Sequence, residues 1–373
     1  MSWRKATLAD FLGDNVVYRN LEPMAPGLGG LREVWAAIGL DHYYVPRKTA
    51  PEYAQALLHY LHQAQRQRGV RTPLRQVLFI GDTLMNDGTA ARNVGRSLRL
   101  LGFIGADRLN QPAKVEIQGE LMVANRWAAL ADFLRWVRSN DFPCDEGTAL
   151  LVDLDKTFLG ARGRNDKVID AARVEAIRRT MRAALGGALD EAAFRAIYDP
   201  LNQPEYHPFT EDNQDYLAYI TLMVLAAIYP VETFWQDLAA KKLTRMTEFV
   251  AHCEARRAEM PPALAATHDQ VVRGLAAEDP TPFKDFRRVE YRETVARMDL
   301  LPDDAAEAQV LAEEIVLTAE VVSVARYLAG QGVLPFGISD KPDEASLPMP
   351  EDAARGYRPL HRTRMKVHGQ DIV

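Results

Sequence analysis

Residues 149–160 read ALLVDLDKTFLG: an apolar run, then Asp153 and Asp155 one residue apart, then Thr157. A short apolar run closed by polar residues is the pattern of a strand buried on both faces. Asp153 therefore stands at a strand's carboxyl end. An earlier stretch, VLFIGDTLMNDG (Val77–Gly88), finishes the same way, in Asp82 with Asp87 closing a turn.

Working outward, strand runs alternate with helical periodicity. Strands are expected at 43–45 (HYYV), 76–80 (RQVLFI), 101–105 (GFIGA), 149–153 and 333–338 (VLPFGIS). Between them LREVWAAIGL, APEYAQALLHYLHQAQRQRG, GTAARNVGRSLRLL and NRWAALADFLRWVRSN carry apolar residues at helical spacing. That alternation implies an α/β fold, a doubly wound parallel sheet with helices on both faces. Pro335 weakens the last strand, because proline cannot donate to a ladder. From about Asp166 to Met298 only helical periodicity appears, and helix is expected to continue through AAEAQVLAEEIVLTAEVVSVARYLAGQG. The tail from Asp340 reads as irregular. The α/β layer is thus written in two pieces, 1–157 and 306–373, around an all-α insertion at 158–305.

The 373 residues are enough for two domains. A net charge of −6, with Lys and Arg dispersed, gives no sign of a nucleic-acid partner. The two cysteines, Cys144 and Cys253, form no CxxC pair, which suits a reducing cytoplasm and excludes a disulfide framework. The N-terminal residues carry no apolar stretch of signal-peptide length. YLAYITLMVLAAIYPV (Tyr216–Val231) is shorter than a bilayer span and is expected to be a buried helix, so no membrane partner is expected.

In an open parallel sheet, ligands bind beyond the carboxyl ends of the strands. That rim collects Asp82, Asp87, Asp153 and Asp155, with Ser339 ending VLPFGIS and Lys48 after HYYVPR. Four carboxylates in one crevice repel unless a cation sits among them. Oxygen donors beside a phosphate partner favour Mg²⁺. A hydroxyl and an ammonium next to that cation make a phosphate cradle. Each piece has a plainer explanation. NDG is good turn chemistry, Ser339 could cap its strand, and Lys48 could be a solvated loop lysine. A calcium loop is disfavoured because Phe158 stands where an EF-hand needs glycine.

Together these motifs resemble the haloacid dehalogenase (HAD) superfamily of phosphatases. The family's first motif, a strand followed by DxDx[TV], is similar to LLVDLDKT. Its second, a strand ending in Ser or Thr, is similar to VLPFGIS. Its third, a Lys before a helix, is similar to RKTAPEYAQALLHYL, and its fourth, GDxxxxD after a strand, to VLFIGDTLMND. The resemblance covers roughly residues 31–157 and 320–341. The order here is third, fourth, first, second, which a circular permutation explains. It implies a Rossmann-like core with strand order 101–105, 76–80, 149–153, 333–338, 43–45. The helical insertion falls where the family places a C1-type cap that selects substrate, with linkers near 158–166 and 299–305.

The resemblance also implies roles. Asp153 would be the nucleophile toward a small phosphomonoester, forming an aspartyl-phosphate. Asp155 would be the general acid and base. Mg²⁺ would be held by Asp153, the Asp155 backbone carbonyl, Asp82 and Asp87. Ser339, Lys48 and Thr157 would bind the phosphoryl group. Lys341 competes with Lys48 for that role, and Lys48 is favoured by its strand–Lys–helix setting. Arg162 and Arg164 in FLGARGRND could enter the site, although solvated loop arginines are the preferred reading. A phosphotransferase using the same intermediate and a non-catalytic phospholigand-binding protein are the alternatives. Substrate identity and oligomeric state are open.

Overall fold

The computed structural model describes residues 3–373. They divide into two compact units, one formed by Met1–Ala172 with Thr294–Val373 and the other by Arg173–Glu293.

The first unit is built on a seven-stranded sheet. Its order is Val115–Gln118, Leu121–Ala124, Arg99–Gly105, Gln76–Gly81, Thr148–Asp153, Leu334–Ile338, Val16–Val17. All neighbours are parallel except the Val115–Gln118/Leu121–Ala124 hairpin. The two α/β pieces of the chain therefore share one sheet, with Thr148–Asp153 in its interior. That strand is buried at every position, which is why it reads as a continuous apolar run rather than an alternating one. One face packs Val77, Phe79, Leu151 and Phe336 against Tyr53, Leu57, Tyr60 and Leu61 of the helix Pro51–Gln67. A helix with apolar residues on one stripe gains stability chiefly by burying it in this way.

The outer strands correct the sequence reading. Residues 43–45 form no strand, and the edge is taken by Val16–Val17, paired with Gly337 and Ile338. His42 and Tyr43 are exposed, whereas Val16 and Val17 are wholly buried. Aromatic and β-branched residues favour a strand only where packing rewards them. Pro335 is accommodated because this short neighbour pairs only beyond it, at 337 and 338, so no outer ladder bond is lost. The hairpin at 115–124 turns on Gly119, at φ +64°, with Glu120. This is a two-residue loop with the glycine where a positive φ is needed.

A second, three-stranded sheet joins Lys5–Ala6, Met365–His368 and Leu317–Thr318. It corrects two further expectations. The tail after Asp340 contains a strand, and the helix expected through 305–332 breaks into Glu307–Glu313 and Ala319–Gly330. The break coincides with Glu314, fully buried, whose carboxylate takes the Lys366 ammonium at 2.7 and 2.9 Å. A buried charge of this kind is tolerated only with a partner.

The helical unit is shorter at both ends than 158–305. Its connections run inside the helices Asp166–Leu185 and Lys284–Val295, not in loops at 158–166 and 299–305. Residues 158–172 belong to the α/β unit for a packing reason. Phe158, Leu159 and Ala161 are buried there, and the Asn165 side chain donates to Leu311 O and Glu314 O, both at 2.9 Å. Within the helical unit, Phe194, Leu222, Phe234 and Phe249 belong to a separate core. Arg287 ties buried Asp215 (2.6 Å) to buried Glu290 (2.6 Å). The apolar stretch at 216–231 lies largely in the buried helix Gln214–Leu225. No helix among the described residues is long and apolar enough to cross a membrane.

Candidate active site

Register brings the acidic residues together. Ile80 pairs with Val152, and Asp153 pairs with Ile338. The parallel strands therefore end level, with Asp82, Asp153 and Ser339 following one another across three neighbouring strand ends. Asp87 returns to this rim by opening the helix Asp87–Val94 and folding its carboxylate back on the strand end. Its Oδ2 accepts from the N–H of Asp82 (3.0 Å), the N–H of Thr83 (2.8 Å) and the Thr83 hydroxyl (2.9 Å). Gly81 is required for this fold-back, because a Cβ there would lie 2.4 Å from the Asp87 Cβ.

Lys48 arrives from a third stretch of chain. The loop carrying it is held by Arg19, which donates to Pro46 O (2.8 Å), and by Asn93, which donates to Thr49 O (3.0 Å). Neither residue belonged to the sequence-derived site. Asn93 lies in the helix opened by Asp87, so one element sets both the carboxylate and the loop of its lysine partner. Lys48 is 5% exposed, and its ammonium lies 2.5 Å from Asp87 Oδ1 and 2.6 Å from Asp153 Oδ1. Between Lys48 and Lys341, the structure thus pairs Lys48 with these carboxylates.

Asp82, Asp87 and Asp153 place one oxygen each within 4.8 Å of one another, a cluster that could hold a metal ion. The electrostatics fit a further cation. Burial raises Asp153 well above the usual carboxylate range; Lys48 offsets part of this, while Asp87 and Asp82 add to it. Burial and the Asp87 charge push Asp82 up to about 7. Burial would also raise Asp87, but Lys48 first, helped by hydrogen bonds with Asp82 and the Thr83 N–H, outweighs it and holds that carboxyl down at about 2. For Lys48 itself, burial disfavours the charge, yet Asp153 and Asp87 prevail and keep the ammonium protonated. Lys48 and Arg162 do not suffice to keep all three carboxylates ionised, so Asp153 and Asp82 are driven to hold protons that a cation could replace, and the donors are all oxygen, as a hard cation requires.

The other expected residues fall into place unevenly. Asp155 lies two residues past the strand, partly exposed, and its carboxylate stands outside the three-aspartate cluster. Only its backbone carbonyl was expected to meet the metal. Ser339 is buried, and its Oγ accepts from the Lys341 N–H at 3.0 Å. Thr157 is fully buried; its carbonyl accepts from the Thr318 hydroxyl at 2.6 Å and its own Oγ1 has no hydrogen-bond partner. The preferred reading of Arg162 and Arg164 as solvated is overturned. Arg162 Nε donates to Asp82 Oδ2. Arg164 donates to Asp107 (2.8 Å) and to both oxygens of Glu320 (3.0 Å each). The available signal was their place in the loop that follows the Asp153 strand within a dozen residues.

One consequence concerns pH. A cation binding to Asp82 must displace the proton that Asp82 holds below about 7. Divalent-cation affinity should therefore rise by at least about tenfold from pH 6 to pH 8, because the Asp82 proton, and with it any that burial keeps on Asp153, has to leave. Isothermal titration at the two pH values checks this, and equal affinities would contradict it.

No family model, curated protein or solved structure matches this chain, so its function rests on the chemistry of the site itself.

Proposed function

We propose that the protein is a Mg²⁺-dependent phosphatase of the HAD type, circularly permuted, that removes phosphate from a small phosphomonoester through an aspartyl-phosphate. The observation that carries this reading is the meeting of Lys48, Asp82, Asp87 and Asp153, from three separate stretches of chain, at the carboxyl ends of adjacent parallel strands. The same residues make up the motifs of the resemblance, in an order that one shared sheet accommodates. Three buried carboxylates with an ammonium suit phosphoryl transfer, in which catalysis is mostly positioning and charge stabilisation.

In this reading an Asp153 oxygen attacks phosphorus while the bond to the leaving oxygen breaks. Asp155, closer to solvent, gives that oxygen its proton. It then takes a proton from the water that attacks the phosphorus of the aspartyl-phosphate, which restores Asp153 and frees phosphate. Lys48 holds Asp153 in position, favours its charged form and faces the phosphoryl oxygens. Asp87, anchored by the N–H groups of Asp82 and Thr83, keeps Lys48 in place. Asp153, Asp82 and Asp87 would hold Mg²⁺, which supplies the charge that lets carboxylate and phosphate approach.

The test is release of inorganic phosphate from a panel of phosphorylated metabolites. Activity is expected with Mg²⁺ and should vanish in EDTA. Full activity in EDTA would remove the metal from the reading. Transfer of phosphate only to an added acceptor alcohol would make the protein a phosphotransferase instead.

A further inference from the structure

Arg162 is a charged residue at this rim to which the proposed reaction gives no role. Its guanidinium donates to Asp82, the carboxylate that Lys48 does not pair with. Asp82 and Arg162 differ in freedom. The Asp82 side chain is 7% exposed and the Arg162 side chain 37%. The Arg162 backbone is pinned: its N–H donates to Lys156 O (2.8 Å), and its carbonyl accepts from the Asp107 N–H (2.8 Å) and the Trp127 indole (3.2 Å). Gly163, at φ +79°, lets the loop pass so close to Asp107 that a Cβ would lie 1.9 Å from its carbonyl oxygen. Arg164, held by Asp107 and Glu320, completes the anchor. What is left to move is the long Arg162 side chain, on the solvent side of the cluster.

We propose that Arg162 and a divalent cation compete for Asp82, and that the cation, once seated, releases Arg162 to grip the substrate's phosphoryl group. This inference rests on the phosphatase reading. Arg162 is then a cation stand-in at the metal-free site. A guanidinium and a divalent ion sharing one small carboxylate repel each other, and the weakly hydrated, flexibly tethered group yields. Lys48 cannot yield in the same way, being buried with two carboxylate partners. The released fork of N–H donors matches phosphate oxygens in geometry and charge.

The experiment is titration calorimetry on the full chain, first with Mg²⁺ alone and then with inorganic phosphate in saturating Mg²⁺. Arg162→Gln should bind Mg²⁺ about tenfold more tightly than the wild type, because one charged hydrogen bond no longer competes. It should bind phosphate about tenfold more weakly for the converse reason. Arg162→Lys, which retains the charge and loses the fork, should keep Mg²⁺ affinity near wild type and still weaken phosphate. Unchanged or weaker Mg²⁺ binding by Arg162→Gln overturns the competition; unchanged phosphate binding overturns the grip. If the wild type hydrolyses phosphomonoesters with Mg²⁺ and Arg162→Gln shows neither effect, this inference falls while the phosphatase reading stands. If neither protein binds Mg²⁺, both fall.

Discussion

Asp153→Asn should abolish phosphate release, by about 10⁴-fold or more, while leaving the fold intact. Losing a covalent nucleophile removes the reaction path itself, and effects of this order follow when such a residue is replaced. Stability should hold, because the substitution removes a charge that burial and the neighbouring carboxylates already oppose. Lys48 keeps Asp87 at 2.5 Å, so the ammonium is not orphaned. Thermal melting of the metal-free variant should match or exceed that of the wild type, since its buried site carries less uncompensated charge. Phosphate release at the wild-type rate would show that Asp153 is not the nucleophile. Loss of activity together with early unfolding would mean that the carboxylate is structural.

The second large effect is on stability. Lys48→Met should cost about 3 kcal/mol at pH 7, as expected when one partner of a buried ionic cluster is removed and the others stay. Among the described residues the ammonium pairs with both Asp87 and Asp153 at hydrogen-bond distance, and both carboxylates are buried. The loss should depend on pH in a definite direction. Lys48 holds Asp87 down at about 2, below the range of an unfolded carboxylate. Stability from that pairing is complete above the unfolded value near 4 and disappears as pH falls through about 2. The deficit of the variant should therefore be full at neutral pH and fade in acid. Urea denaturation at pH 7 and pH 3 measures both values. An equal deficit at the two would assign the cost to lost packing of the lysine stem rather than to charge.

How far these features could be read in advance depended on how each is written in the chain. Interior parallel strands bury both faces, so Gln76–Gly81 and Thr148–Asp153 stand out as apolar runs, and the aspartate that closes each run marks the rim. Asp82 and Asp153 were legible for that reason. Val16–Val17 was not, because two residues carry no periodicity, and HYYV misled because strand-forming residues were taken without a buried face. The hairpin at 115–124 was legible but passed over: VEIQ, then Gly-Glu, then LMVA is a two-residue turn between strands. Arg162 is a different case. Its partner is 80 residues away in the chain, and an arginine paired with a carboxylate looks in sequence like any solvated one.

By itself the sequence determined the α/β class, the inserted helical block and the residue types at the strand ends, since burial and periodicity are local and leave their mark residue by residue. The tertiary structure decided which ends are neighbours, where the helical unit begins, that Lys48 lies between Asp87 and Asp153, and that Arg162 takes Asp82. Those are matters of register and of charge meeting charge across long separations. A carboxylate at a strand end has the same letter whether it faces water, a lysine or a cation; only the fold, by burying it beside particular partners, makes those cases differ in energy.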